Sequence, residues 1–329
     1  MTAKKISISP DIQVKLPIVF GIKECVLSQA EADFFRESQP FGFILFSRNL
    51  ETPDQIRKLT DDLKNCVESG EVPILIDEEG GSVQRLPQPL WPGRPSAMEL
   101  GLDFIEQPDQ TRVRTRENYF RIGQRLYALG ISVNAAPVLD LQFPHTHEVI
   151  RDRSFNPNPD AVATLGRAAA EGLREAGVLP IMKHMPGHGR ATVDSHLELP
   201  VLDHSLEELR KSDFIPFEKN ADLPWAMTGH VQYNAIDSTY PATLSSKLIH
   251  DFIRTEMQFQ GLLISDCLFM EALPSDVPKR VQTCLDAGCD LALHSHGDVK
   301  AMEDAIRNIP PLSDDAKKRW QAALQWLRC

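Results

Sequence analysis

One stretch of the sequence concentrates side chains that can carry protons or charge. It runs from Lys183 to Pro200 and follows a short apolar run at 178–182. Three histidines, a lysine and an aspartate lie within it, and it is broken by Pro186, Gly187 and Gly189. The pattern predicts a polar loop at the end of a buried strand, which is a setting for acid–base chemistry or for metal binding.

These residues have three interpretations. A plain surface loop is the first, because polar residues between elements are commonly just exposed. The second is a zinc site made by His184, His188 and His196. The third is acid–base chemistry, in which Asp194 orients His196 and keeps its proton ready for a leaving group. The density of titratable groups favours a function, but the spacing leaves zinc and acid–base chemistry both open.

The elements that position this loop follow a repeating pattern of a helix, a glycine and a short apolar run. The helix predicted from Thr52 has a capping box with Gln55, Pro53 at its first position and Gly70 as its stop. Further helices are predicted at 28–38, 110–129, 160–176, 205–220, 245–260 and 277–287. Such regular alternation is typical of βα units.

Eight apolar runs alternate with these helices, and they lie at 18–22, 41–46, 72–76, 131–139, 178–182, 224–228, 262–265 and 290–294. Continuous apolar runs are typical of strands that are buried on both faces. Eight βα units therefore predict an α/β fold of the (β/α)8 TIM type. A doubly wound sheet is the alternative, but no G-x-G-x-x-G follows the first run. We expect one catalytic domain over 1–329, with a polar arm at about 1–14 and a C-terminal helix at about 313–327.

Polar residues follow most of the runs, and the carboxyl ends of strands share one face of such a barrel. Asp266 follows the run at 262–265, where a buried charge is costly unless it caps the next helix or serves a function. The other residues at run ends are Ser47, Arg48, Asn49, Asp77, Glu78, Glu79, Arg85, Asp140, Lys183, His184, His230, His294 and His296. A glycosidase could use Asp266 with the pair Asp194 and His196, whereas a zinc hydrolase would use the histidines.

Composition narrows the class of protein. The chain has 329 residues, of which 42% are hydrophobic and 25% charged, as in ordinary globular proteins. Its formal net charge of −11 argues against nucleic-acid and anionic-membrane partners. The six cysteines form no C-x-x-C pair, and no apolar run reaches the length of a membrane span. We expect a cytoplasmic protein with reduced thiols.

Four motifs resemble a known family. They are Lys-His-Met-Pro-Gly-His-Gly with Asp-Ser-His (183–196), Ile-Asp-Glu-Glu-Gly-Gly-Ser-Val-Gln-Arg-Leu (76–86), Arg-Asp-Arg-Ser-Phe (151–155) and Leu-Ile-Ser-Asp (263–266). In this order they look like the family 3 glycoside hydrolases, and they are most similar to the single-domain bacterial β-N-acetylglucosaminidases of peptidoglycan recycling. The resemblance covers most of the chain, from about residue 41 to about 296.

The resemblance implies a retaining mechanism without cofactor or metal. Asp266 falls at the family's nucleophile, His196 at its acid/base on a mobile loop, and Asp194 at the partner of that histidine. The residues at sugar-binding positions are Asp77, Arg85, Arg153, Lys183 and His184. The implied substrates are muropeptide fragments that carry N-acetylglucosamine β-1,4-linked to anhydro-N-acetylmuramic acid, and a monomer is expected. Two departures are Cys267, where a second aspartate is expected, and Met185, where phenylalanine is common.

Overall fold

Eleven strands form the framework of the protein. The computed structural model describes residues 15–68 and 70–328, so the arm predicted at 1–14 lies outside the described residues. The strands are β1 (Leu16–Gly21), β2 (Pro40–Leu45), β3 (Ile74–Ile76), β4 (Val133–Asn134), β5 (Leu179–Pro180), β6 (Met182–Met185), β7 (Val201–Leu202), β8 (Trp225–Thr228), β9 (Gln232–Tyr233), β10 (Leu262–Cys267) and β11 (Leu291–His294).

Nine of these strands form one parallel sheet in the order β5-β4-β3-β2-β1-β11-β10-β8-β6. Its two ends are β5 and β6, which are consecutive pieces of one strand separated only by Ile181. The sheet therefore closes on itself, and a parallel bridge between Val138 and Lys183 adds to the closure. Each of the eight predicted apolar runs contributes to the barrel, so the predicted (β/α)8 fold is confirmed.

Side chains inside the barrel alternate with side chains that face the helices, as the period of a strand requires. In β1, Val19 belongs to the inner cluster, whereas Ile18 and Phe20 belong to the outer one. The inner cluster continues into the C-terminal helix, where Trp320 packs edge-on against Phe41 and Trp225 at centroid distances of 5.2 and 5.8 Å. The C-terminal helix therefore closes one end of the barrel, so that solvent reaches the interior from the other.

Within residues 15–68 and 70–328, eleven α-helices pack around the barrel, and they are α1 (Gln29–Ser38), α2 (Pro53–Lys64), α3 (Ala97–Gly101), α4 (Pro108–Ala128), α5 (Glu148–Arg151), α6 (Pro159–Glu175), α7 (Leu206–Arg210), α8 (Ile215–Glu218), α9 (Val277–Ala287), α10 (Val299–Ala305) and α11 (Asp314–Trp326). Short 3-10 helices lie at Ser47–Asn49 and Ala242–Leu244, and a π-helix at Lys247–Glu256. None of the described helices combines the length and the apolar character that crossing a membrane requires.

Three helix predictions need correction. Thr52 caps α2, but Gln55 accepts from the Glu51 N–H at 3.0 Å instead of returning to Thr52, so the predicted box is only half formed. Helix α2 ends at Lys64, well before Gly70, because the chain turns there to reach β3. The single helix predicted at 205–220 is divided into α7 and α8.

Candidate active site

A cavity of about 710 Å³ opens at the carboxyl end of the barrel strands. Its wall includes residues from the ends of β3, β6 and β10 and from the loops that follow them. Seven of the eight predicted site residues line it, namely Asp77, Arg85, Arg153, Lys183, His184, His196 and Asp266. The eighth, Asp194, is connected to the cavity through the ring of His196.

Two carboxylates that follow β3 share one buried ammonium group on the wall of this cavity. Lys183 Nζ lies 2.7 Å from Asp77 Oδ1 and 2.6 Å from Glu79 Oε1. Glu79 also accepts two hydrogen bonds of 2.8 Å from the guanidinium of Arg153, and Arg85 Nη2 lies 3.6 Å from Asp77 Oδ2. The five side chains form one continuous ionic network, which fixes its three cations at the cavity wall.

The charges of this network keep both acids ionised. Burial raises the pKa of Glu79, but the cations of Arg153 and Lys183 lower it by more, to about 2. Burial likewise raises the pKa of Asp77, and Lys183 and Arg85 bring it below its ordinary value. A buried carboxylate of this kind needs its partners, since an unpaired charge in the interior is costly.

A third buried carboxylate, Asp140, orients His184 and His188. Its Oδ2 lies 2.7 Å from His184 Nδ1, and its Oδ1 accepts from the backbone N–H groups of His184 and His188 at 3.2 and 2.7 Å. The opposite nitrogen of His184, Nε2, faces the cavity 3.5 Å from Arg153 Nη2. Asp140 therefore fixes the orientation of the His184 ring, as a carboxylate bonded to one ring nitrogen commonly does for a functional histidine.

Asp266 lies near the end of β10, where it lines the cavity and is partly exposed. Its Oδ1 accepts from the Cys267 N–H at 2.6 Å, and no other side-chain partner is found among the described residues. Burial raises the pKa of Asp266, but the nearby His230 and His184 rings, the Cys267 N–H and Lys183 bring it below its ordinary value. The carboxylate is thus ionised and has oxygen lone pairs free for a ligand, which is what a nucleophile requires.

His230 contacts the backbone next to Asp266. Its Nδ1 lies 2.7 Å from Thr243 Oγ1, and its Nε2 lies 2.9 Å from the carbonyl oxygen of Cys267. A ring that contacts a carbonyl through Nε2 carries its proton there, so the ring donates to the backbone next to Asp266. The Cys267 thiol itself lies 2.7 Å from Ser295 Oγ on the cavity wall.

The loop 186–200, here called the histidine loop, carries Asp194 and His196. Asp194 Oδ1 lies 2.7 Å from His196 Nδ1 and accepts the His196 backbone N–H at 2.9 Å. The His196 side chain is 59% exposed, in contrast to the buried histidines at the start of the loop. The contact with Asp194 places the Nδ1 proton on the carboxylate side and leaves Nε2 free to exchange a proton with a ligand.

Contacts near its start and near its tip hold the histidine loop over the cavity. Gly189 passes so close to the Leu141 carbonyl that a Cβ there would lie 2.0 Å from its oxygen. Near the tip, His188 Nε2 lies 3.0 Å from Ser195 Oγ, and the His196 carbonyl accepts the Glu271 N–H at 3.0 Å. Burial and the neighbouring His184 lower the pKa of His188 to about 4, so this ring is neutral and acts by hydrogen bonding.

The geometry does not favour a zinc site made by His184, His188 and His196. The described residues contain no group of three or more His, Cys, Asp or Glu side chains placed to hold a metal ion. His184 faces a guanidinium through its free nitrogen, and His188 is engaged by Ser195. His196 is paired with a carboxylate two residues away, so the three histidines do not converge on one point.

Several other candidates from the sequence lie away from the cavity wall. Glu78 points into the protein, where its Oε2 accepts from the Arg85 and Leu86 N–H groups and burial raises its pKa to about 7. His294 packs between Phe20 and Phe269 behind the wall. Conversely, Phe46, Glu148, Ser195 and Glu271 line the cavity without having been predicted as site residues. Of these four residues, only Ser195 could have been found from the sequence, because it lies between Asp194 and His196.

A parallel (β/α)8 barrel whose cavity combines an ionised strand-end aspartate with an Asp–His pair fits a glycoside hydrolase. The chain belongs to glycosyl hydrolase family 3, since the model of the N-terminal domain of that family matches residues 14–319. The family that the four motifs resemble is therefore confirmed.

Individual relatives agree with this assignment. A beta-hexosaminidase of Alkalilimnicola ehrlichii is 35% identical over 91% of this chain and 86% of its own length. NagZ of Neisseria gonorrhoeae, solved in complex with N-trifluoroacetyl-D-glucosamine, is 30% identical over 95% of this chain and 94% of its own, with a TM-score of 0.86. A second structure of that protein is a complex with a zinc ion. The predicted enzyme class, a β-N-acetylhexosaminidase, is confirmed.

Proposed function

We propose that the chain is a retaining exo-β-N-acetylglucosaminidase in which Asp266 is the nucleophile and His196 the acid/base. One observation carries the proposal: an ionised aspartate at a strand end and an exposed imidazole oriented by Asp194 line the same cavity. The similarity to a protein solved with an N-acetylglucosamine analogue supports this choice of sugar.

The reaction proceeds in two displacements. In the first, an Asp266 oxygen bonds to the anomeric carbon while the glycosidic C–O bond breaks and His196 Nε2 gives its proton to the leaving oxygen. In the second, water attacks the same carbon, His196 takes a proton from that water, and the Asp266 carboxylate departs. Two inversions at one carbon give net retention, and no cofactor takes part. Asp194 stabilises the imidazolium and holds its tautomer throughout.

The ionic network of the wall binds the sugar in this proposal. Asp77 and Lys183 offer an acceptor and a donor side by side, which suits neighbouring hydroxyl groups. Arg153 presents donors and His184 Nε2 an acceptor at the same wall, with Arg85 at the side of Asp77. Because Glu79 and Asp140 engage these groups from behind, the binding groups are already oriented before the sugar arrives.

The proposal also specifies the substrate, the cellular compartment and the oligomeric state. We take the substrates to be muropeptide fragments with a terminal N-acetylglucosamine, hydrolysed in the cytoplasm by a monomeric, single-domain enzyme. Release of anhydro-N-acetylmuramic acid from such a disaccharide, detected by mass spectrometry, tests the substrate, and light scattering after size-exclusion chromatography tests the monomer. Unchanged turnover after exhaustive chelation is expected, and loss that zinc restores would favour the zinc hydrolase.

The roles of the two key residues separate in a leaving-group series. Asp266→Ala should abolish turnover of every aryl N-acetyl-β-glucosaminide. His196→Ala should slow substrates with poor leaving groups most, because good leaving groups need no proton. His204→Ala, a change of a histidine outside the cavity, serves as the control. Normal activity of Asp266→Ala, or an equal loss for all leaving groups in His196→Ala, would defeat the proposal.

A further inference from the structure

A second polar site lies outside the active-site cavity, between the loop after β3 and helix α4. Arg94 and Arg121 line two adjoining cavities of about 400 and 300 Å³. Arg125 and the aromatic ring of Trp91 line the larger cavity, and Asn118 lines the smaller. None of these five residues lines the active-site cavity. The group is called the arginine pocket below.

Several donors of the arginine pocket lack partners, although Arg125 Nη1 donates to the Pro92 carbonyl at 3.0 Å. Arg94, Arg121 and Arg125 form no ion pair with any described residue, although the chain as a whole carries a net charge of −11. Arg94 Nε and Asn118 Nδ2 are buried nitrogens with no acceptor in the described part of the chain. Asn118 as a whole is only 6% exposed. Buried donors without acceptors are uncommon in proteins, and two of them beside one guanidinium cluster indicate a missing anion.

The acids around the pocket are fewer than its cations. Glu99 and Glu117 line the smaller cavity and carry one negative charge each. Glu78 lies nearby, but burial raises its pKa to about 7, so it carries only part of a negative charge at neutral pH. The three arginines of the pocket therefore leave the local balance positive.

Repulsion among the arginines supports the same conclusion. Burial lowers the pKa of Arg94, and the cations of Arg125 and Arg121 lower it further. Like charges held together in this way cost free energy in the unliganded protein, and an anion seated among them would remove that cost.

We propose that the arginine pocket binds the phosphate group of a small molecule. A carboxylate brings a single negative charge, whereas a phosphate monoester carries about −1.5 to −2 at neutral pH and three acceptor oxygens, which suits a cluster of guanidinium groups better. Guanidinium pairs bind phosphate in a bidentate manner, which favours this anion further. The indole of Trp91 gives the larger cavity an apolar side for the rest of the molecule.

Binding can be measured by calorimetry on the full chain with three probes: inorganic phosphate, glucose 6-phosphate and adenosine diphosphate, each at matched ionic strength. Saturable binding of at least one probe is expected. Tighter binding of an organic phosphate than of inorganic phosphate would identify a metabolite as the ligand, and equal binding would identify the free anion. The intrinsic fluorescence should respond to the probe in the wild type but not in Trp91→Phe.

Matched variants locate the site. Arg121→Gln and Arg125→Gln should each weaken binding at least tenfold, since each removes a charge-assisted hydrogen bond to the anion. Arg112→Gln removes the same charge from an exposed position of the same helix outside the pocket and should leave binding unchanged. No saturable binding of any probe, or equal binding by all three variants, would overturn the proposal. Glycosidase activity is not part of this test, so the two proposals fail independently.

Discussion

Replacing Glu79 with glutamine removes the central charge of the ionic network while keeping the shape of the side chain. Glu79 is 3% exposed and accepts hydrogen bonds from Arg153 and Lys183. Glu79→Gln leaves both cations buried with Asp77 as the one remaining carboxylate of the network. Breaking a buried ion pair by removing one partner typically costs about 3–5 kcal/mol.

The lowered pKa of Glu79 gives a similar loss in the free energy of unfolding. A fall from the ordinary 4.5 to about 2 corresponds to about 3 kcal/mol of stability at neutral pH. For a chain of this length, that loss should lower the melting temperature by roughly 5 °C. Because the folded pKa is depressed, the contribution is complete above about pH 4.5 and is lost as the pH falls towards 2.

Urea unfolding and thermal melts of both proteins at pH 8, 7, 6 and 5 measure this effect. The difference between wild type and Glu79→Gln should stay constant over that range and shrink below it. Glu175→Gln, which neutralises an exposed partner of Arg116, is the control and should cost less than about 1 kcal/mol. If the two variants had the same unfolding midpoint, Glu79 would not hold the network, and the reasoning would fail.

Two further predictions concern histidine contacts. Ser195→Ala removes the hydrogen bond to His188, so kcat should fall about tenfold. Because the change leaves a buried ring nitrogen without its partner at a cost of about 1–3 kcal/mol, the melting temperature should fall by no more than about 5 °C; a fall in thermal stability without loss of kcat would contradict the loop-positioning role. His294 is buried without a hydrogen-bond partner among the described residues, and burial lowers its pKa to about 4. Its neutral form is favoured in the folded state, so stability should be lost as the pH falls from about 6.5 towards 4, by about 2 kcal/mol at pH 5. His294→Phe should flatten that acid dependence in urea titrations, and an identical pH profile for both proteins would exclude the explanation.

The barrel could be predicted from the sequence because each strand is buried on both faces, which produces a continuous apolar run. The boundaries of the helices were harder to predict from the sequence. The end of α2 at Lys64 and the division between α7 and α8 depend on tertiary packing, which overrides local propensity. The closure of the barrel by Trp320 also could not be predicted, since it depends on contacts with Phe41 and Trp225 far away in the sequence.

The candidate site followed from the motifs, but its supporting contacts did not. Asp266 and His196 could be predicted because the position of Asp266 at a strand end and the family resemblance both indicated a catalytic role. The orientation of His184 by Asp140, which lies at the end of the neighbouring strand, required the fold. The arginine pocket gave no sequence signal, because Arg94 and Arg121 meet only when the loop after β3 packs against α4.

The most direct test of the account is the site of the covalent intermediate. A fluorinated N-acetylglucosaminide with a good leaving group slows the second displacement, so the enzyme should accumulate a glycosyl adduct that mass spectrometry of proteolytic peptides assigns to Asp266. The adduct should be absent from Asp266→Ala. An adduct on any other residue, or an initial product of inverted anomeric configuration from the wild type, would contradict the account.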